Sequence, residues 1–209
     1  KNVSNKDSPD WMLKRFKMTG IKIISCLVDI TNYINFDLCR PLHVFDADKI
    51  QGDIVIRHSK KGEKFLGLDD QEYILDDNMI VICDENKIIS LAGILGGKSS
   101  CCDRETKNIL IESAYFLPDS ISSTGRKLNI QSDARYRFER GIDPESTENG
   151  INLASRMITK LCGGDLCEII KDNSSIKKDK SIEISSNFIN QILGTNLNDK
   201  LIQEKLAKI

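Results

Sequence analysis

The sequence predicts an α+β fold, with antiparallel-rich sheets flanked by helices. Three observations predict it: a helix-like opening at "SPDWMLKRFKMTG", a clear amphipathic helix at "ENGINLASRMITKLCGG", and between them short β-rich runs separated by turn residues. With 209 residues, 40% of them hydrophobic and 29% charged, the chain can bury a sizeable core. No apolar run approaches the roughly 18 to 20 residues of a membrane span, so no membrane partner is expected.

Each element has its own signal. Ser8 and Pro9 read as N-cap and first helical residue, Trp11, Leu13, Phe16 and Met18 recur at roughly helical spacing, and Gly20 stops the helix. "IKIISCLVDITNYINF" begins strand-like and becomes helical from about Val28, with Asp29 as a possible cap; periodicity alone does not decide it. From Asp53 the runs "DIVIRHS", "EKFLGLDDQEYIL" and "MIVICDENKIISLAGILGG" predict strands, with hairpin turns at "LDDQEY" and "DENK", and "NILIESAYF" is a further strand. Ile151, Ala154, Met157, Ile158 and Leu161 then share one helical face, and Gly163 lies beyond its end.

The stretch "KDNSSIKKDK", residues 171–180, is polar and aperiodic and reads as a linker between a domain at 1–170 and a truncated one at 181–209. The latter predicts a strand, a helix, a Gly-containing turn and a second helix. An opening without methionine and an ending inside a helical pattern suggest a piece of a longer protein.

Seven cysteines fit neither a disulfide framework nor paired zinc ligands, so reduced thiols are expected, with Cys26 and Cys83 as small buried residues and no metal. With a net charge of −1 and a pI near 6.2, bulk electrostatics do not announce a nucleic-acid binder. Any RNA contact must come from local basic patches.

Four features carry candidate chemistry. His43, one of two histidines, follows Pro41 and has Asn32, Asn35, Asp46 and Asp48 near it in sequence; it reads either as a locally satisfied loop residue or as a group that orients water. The other, His58, beside Lys60 and Lys61, reads as a solvated turn residue. "LAGILGG" is either a tight turn or a backbone wall that lets a ligand approach, and it completes neither a Walker loop nor a dinucleotide fingerprint. Glu112, inside an apolar run, is either turned to solvent or lines a pocket, because burying it unpaired is costly. Arg135, Arg137 and Arg140 stand among Tyr136, Phe138 and three carboxylates, fitting phosphate contact or a salt-bridged segment equally.

The motifs "SPDWMLKRFKMTGI", "VDITNYINFDLCRPLHVFD", "LAGILGG", "ILIESAYF" and "SDARYRFERGIDP", in this order over roughly residues 8 to 170, resemble the editing (B3/B4) domain of bacterial phenylalanyl-tRNA synthetase beta subunits. The segment after the linker resembles the start of the small B5-like domain. The resemblance implies hydrolysis of misacylated Tyr-tRNA(Phe). A pocket built for phenylalanine discriminates only about a hundredfold against an added hydroxyl, so a second site that reads the hydroxyl is needed. Glu112 would be that reader. His43, with Thr31 and Asn32, would position water or the terminal ribose near the ester. Ala92 and Gly93 would wall the aromatic ring, with Ser132 and Ala134 closing the site, and Arg40, Arg135 and Arg137 would contact tRNA.

The fragment needs no cofactor on this reading, while the full synthetase would use ATP and Mg2+ in a cytoplasmic assembly of two alpha and two beta chains on tRNA(Phe). The chain departs from the family pattern at Arg40, where glutamine is common, at Ser132 for threonine and at Lys22 for arginine, and its "KSSCCDRET" loop is atypical. An architectural or tRNA-binding module with a decayed pocket is the alternative.

Overall fold

The computed structural model describes residues 1–172 and 181–208, in two compact units, Lys1–Ile170 and Lys171–Ile209. The predicted linker at 171–180, apart from Lys171 and Asp172, lies outside the described residues. The first unit mixes helices with antiparallel strands, as its hydrophobic pattern predicts. None of the described helices is long and apolar enough to cross a membrane.

Helix α1 spans Asp10–Thr19 and ends at Gly20, whose φ of 72° is a left-handed conformation open to glycine. Its start is one residue later than expected: Pro9 is the cap, and the Ser8 hydroxyl donates instead to Asp29 Oδ2 at 2.6 Å. Its buried face is also different. Met12 and Phe16, an i, i+4 pair, are buried, whereas Trp11 and Met18 are exposed, because the predicted set of positions 11, 13, 16 and 18 winds around the helix.

Helix α2 spans Cys26–Asp37, starting from Ser25 rather than near Val28. Asp29 is therefore not its cap. It lies fully buried in the first turn and also accepts the Ile24 amide at 2.9 Å, fixing the irregular segment before the helix.

Eight strands follow: β1 (His43–Asp46), β2 (Val55–His58), β3 (Lys64–Leu66), β4 (Glu72–Ile74), β5 (Ile80–Cys83), β6 (Ile88–Leu91), β7 (Leu95–Gly96) and β8 (Ile109–Glu112). All the pairings are antiparallel. β2, β5, β6 and β7 form one sheet in that order, β3 and β4 form a hairpin, and β1 pairs with the distant β8. The hairpin turns fall where the acidic turn residues predicted them. His58 ends an exposed strand rather than sitting in a turn.

Three helices complete the unit: α3 (Pro118–Lys127), α4 (Asp133–Phe138) and α5 (Ser146–Cys162). α5 buries Ala154 and Ile158 as expected and stops at Gly163. The strand pleat makes the β1–β8 ribbon a partition. Val44, Ile109 and Ile111 face a helical core built from α1, α2 and α5, while Phe45 faces a second core of sheet residues with Phe116, Ile121 and Phe138. Cys26 and Cys162 are buried in the first core and Cys83 in the second. All seven thiols are free.

The second unit holds α6 (Ser186–Leu193) and α7 (Asp199–Leu206). Gly194 turns the chain at a φ of 65°, and Asn190 ties the connection by accepting from the Leu197 amide and donating to its carbonyl. The predicted strand before α6 is absent: residues 181–185 are irregular and exposed, with no described strand beside them to complete a ladder.

Candidate functional site

The register of the ribbon sets His43 directly opposite Glu112. Two residues from separate motifs thus become cross-strand neighbours, whose side chains leave the same face of the pleat. The His43 ring meets Phe45 edge-on, with centroids 4.4 Å apart. On its other side lies Gly96: a β-carbon there would stand 2.4 Å from His43 Cε1, so the imidazole occupies space that only glycine leaves.

Nε2 of His43 is buried without a hydrogen-bond partner among the described residues. Burial disfavours the imidazolium and lowers the pKa to about 4, so the ring is neutral at physiological pH. Glu112 is pushed the other way, up to about 7, by burial, with the Arg40 charge partly opposing the shift. No protein donor among the described residues hydrogen-bonds its carboxylate.

Arg40 follows α2 and is the bulkiest of the fully buried side chains. Its Nη2 donates to the Ala114 carbonyl and its Nη1 to Ser146 Oγ, while Nε is buried and unpartnered. Burial lowers its pKa to about 10, which leaves it charged at neutral pH. Its guanidinium is turned into the fold rather than to solvent, where the expected tRNA contact would have placed it. Arg135 is buried too, bonded to Glu139 at 3.0 Å and to the Ile130 carbonyl, and lies where any side chain at Gly125 of α3 would go. It packs α3 against α4, with its guanidinium bonded inside the fold. Arg137 donates to the Asp133 carbonyl within α4, and its side chain is mostly covered.

The remaining expected residues form two further groups. Gly93, at a φ of 68°, turns the chain beside Ala92, and a β-carbon on it would strike Phe116 at 2.7 Å; Ala92 and Phe116 are in the sheet core. Ser132 caps α4, accepting from the Arg135 amide and donating to the Ile94 carbonyl at 2.6 Å, which docks the helix on the glycine turn. Ala134 packs beside it. Of the glycines in this run, Gly96 is the one against His43. The third group is on α2. Thr31 is buried with its hydroxyl donating to Val28 of its own helix, and Asn32, one residue on, is half-buried.

Gly96 and Asn35 were not anticipated as site residues. Asn35 Oδ1, like His43 Nε2 and Arg40 Nε, is buried without a partner, so one short stretch of chain concentrates unmet hydrogen-bonding capacity. Such a place can orient a polar ligand. Two cavities lie elsewhere: one of about 690 Å³ involves Arg57, Phe65 and Lys98, another of about 330 Å³ involves Ile111, Ile158 and Leu166, and neither is lined by His43 or Glu112. Among the described residues no group of three or more His, Cys, Asp or Glu could hold a metal.

The sequence profile of the B3/4 domain family matches residues 1–163. A phenylalanine-tRNA ligase beta subunit from Paramagnetospirillum magneticum is 45% identical over 203 residues, covering 97% of this chain and 25% of that protein. One from Brucella abortus is 52% identical over 164 residues, covering 78% of this chain and 20% of its own length. The chain thus spans a quarter or less of these relatives. A solved N-terminal fragment of the phenylalanyl-tRNA synthetase beta-subunit from Pyrococcus horikoshii aligns with 98% of this chain and 57% of that one, at 17% identity and a TM-score of 0.45.

Proposed function

The chain belongs to the B3/4 domain family, whose match covers most of its length, and from that footing we propose that it is the editing module of a phenylalanine-tRNA ligase beta subunit, hydrolysing Tyr-tRNA(Phe). The observation that carries this reading is the cross-strand pairing of a neutral His43 with a Glu112 carboxylate that has no hydrogen-bond donor of its own among the described residues.

The substrate is an activated ester, so the module needs no covalent nucleophile; it needs an oriented water and a check on the amino-acid side chain. An ionised Glu112 accepts a strong, charge-assisted hydrogen bond from the tyrosine phenol. Phenylalanine offers no such donor, and a half-buried carboxylate left facing its ring is penalised. Neutral His43 can accept a hydrogen bond from water or a ribose hydroxyl at Nε2. A pKa near 4 makes it a weak base, which favours orientation over proton abstraction. Thr31 and Asn32 would support the ribose end, and Ala92, Ser132 and Ala134 the turn behind the site.

The rest of the enzyme follows as part of the same proposal: an alpha subunit in an assembly of two alpha and two beta chains, tRNA(Phe), a cytoplasmic setting, and ATP and Mg2+ acting outside this segment. The test is deacylation of Tyr-tRNA(Phe) and Phe-tRNA(Phe) by the intact ligase. The wild type should clear the first and spare the second, and Glu112→Ala should lose about 10- to 100-fold on the first alone, the worth of one hydrogen bond to a charged group. Background hydrolysis of both substrates by the wild type would instead favour an architectural module with a decayed pocket.

A further inference from the structure

Arg40 links the hydroxyl-reading strand to the helix behind it. Its Nη2 grips the carbonyl of Ala114, two residues beyond Glu112, and its Nη1 reaches Ser146, the first residue of α5, at 3.3 Å. Ser113, between Glu112 and Ala114, donates to the Thr147 carbonyl at 2.7 Å. The end of β8 is thus laced to the first turn of α5 at two successive residues. Gly150 makes room for this: a β-carbon there would lie 2.9 Å from Arg40 Cγ and 3.3 Å from Ser113 Oγ.

The charge has a partner as well as a place. Glu112 and Asp143 are the carboxylates that act on the guanidinium, and Arg40 is the cation that acts on Glu112. His43, opposite Glu112, is neutral and adds no charge. A buried cation with one unpartnered nitrogen is a costly residue to keep for packing alone.

We propose that Arg40 is a positioning residue for Glu112: it clamps Ala114 to Ser146 and holds a positive charge behind the carboxylate, so that Glu112 meets the tyrosine hydroxyl ionised and in a fixed place. This rests on the editing reading above and adds to it the residue that sets the reader's charge. The groups facing Glu112 are Arg40 from the segment between α2 and β1 and His43 from β1; Asp143, before α5, acts on Arg40.

The experiment measures Tyr-tRNA(Phe) hydrolysis by the intact ligase as a function of pH, separating kcat from KM, for wild type, Arg40→Gln, Arg40→Lys and Ser146→Ala, with thermal unfolding of each. Arg40→Gln should move the half-maximal pH upward by about one unit, a roughly fivefold loss at pH 7 that approaches tenfold at lower pH and is recovered in alkali. Arg40→Lys should keep the midpoint but raise KM, because a lysine cannot hold both ends of the clamp. Ser146→Ala, which removes one end and no charge, should raise KM without moving the midpoint. Activity lost by the same factor at every pH in Arg40→Gln, in step with its thermal stability, overturns the inference. Should that variant not fold, Arg40→Lys decides: a midpoint displaced as far as one unit overturns it. Background hydrolysis by the wild type removes the editing reading and this inference together, whereas an active wild type with unmoved midpoints removes this inference alone.

Discussion

The β1–β8 ribbon carries two carboxylates that the fold treats in opposite ways. Asp46, at one end, is 4% exposed and saturated: the Thr106 hydroxyl donates to it at 2.7 Å, the Asp48 amide at 3.1 Å, and Lys49 lies 3.4 Å away. Glu112, at the other end and on the opposite face of the pleat, receives no hydrogen bond from the described residues and is raised to about 7. One carboxylate stabilises the fold because its donors are in place. The other is held ready for a donor that the protein does not supply, which is what a site built to recognise a hydroxyl requires.

The comparison breaks most readily at Asp46. Asp46→Ala leaves the Asp48 amide without its acceptor and the Thr106 hydroxyl with only a long contact to Asp103 at 3.5 Å, and it removes one of the two carboxylates flanking Lys49, the other being Asp103 at 2.6 Å. The expected cost is about 3 kcal/mol, at the low end for a broken buried pair because Lys49 is partly exposed. Denaturant unfolding at neutral pH measures it, and a loss no greater than that of Glu112→Ala would erase the distinction between the two groups.

The second effect is a pH dependence with a definite sign. The folded pKa of Glu112, about 7, lies above its ordinary 4.5, so folding is opposed wherever the carboxyl must ionise. That penalty is absent below about pH 4.5, grows as pH rises toward 7 and is complete above it. His43 behaves inversely: lowered from 6.5 to about 4, it is penalised as pH falls through that window. In the wild type the two trends offset each other between about pH 4.5 and 6.5. Glu112→Gln should therefore gain about 2 kcal/mol relative to wild type on going from pH 4.5 to 8, somewhat less than the full shift converts to. A flat difference across that range would mean that Glu112 is not held against ionisation.

How much of this was legible in the chain differs by residue. Hydrophobic periodicity located α5, and turn chemistry located the β3–β4 and β5–β6 hairpins, because those signals are local. Residue chemistry made His43 and Glu112 candidates, and motif likeness gave them roles. That they stand opposite one another was not legible, since the register of strands so far apart in sequence is set by packing of the ribbon between two cores. α3 escaped notice because "PDSISSTGRK" is rich in Ser and Thr, which favour turns. It is helical because Pro118 begins it and Ile121 is drawn into the sheet core. Arg40 and Arg135 were expected at the tRNA; their burial against carbonyl, hydroxyl and carboxylate oxygens is a property of the fold that neighbouring letters do not encode.

The smallest expected effect sharpens the comparison at the imidazole beside Glu112. Gly96 has no positive φ to demand glycine, so its requirement is steric, and Gly96→Ala would press a methyl group on His43 Cε1 at 2.4 Å and on Leu68 Cδ1 at 2.9 Å. Phe45 hinders the ring from withdrawing along the strand. The variant should lose about 1 kcal/mol of stability, as modest overpacking does, yet about tenfold in hydrolysis, because a small displacement of an orienting group is amplified in rate. In Gly96→Ala combined with His43→Ala the steric cost should vanish while activity stays low. The coupling between the two sites, read from unfolding of the four species, should then match the cost of the single Gly96 change. Additive losses would show that the methyl group is resisted by Leu68 instead, and that His43 does not owe its place to the glycine.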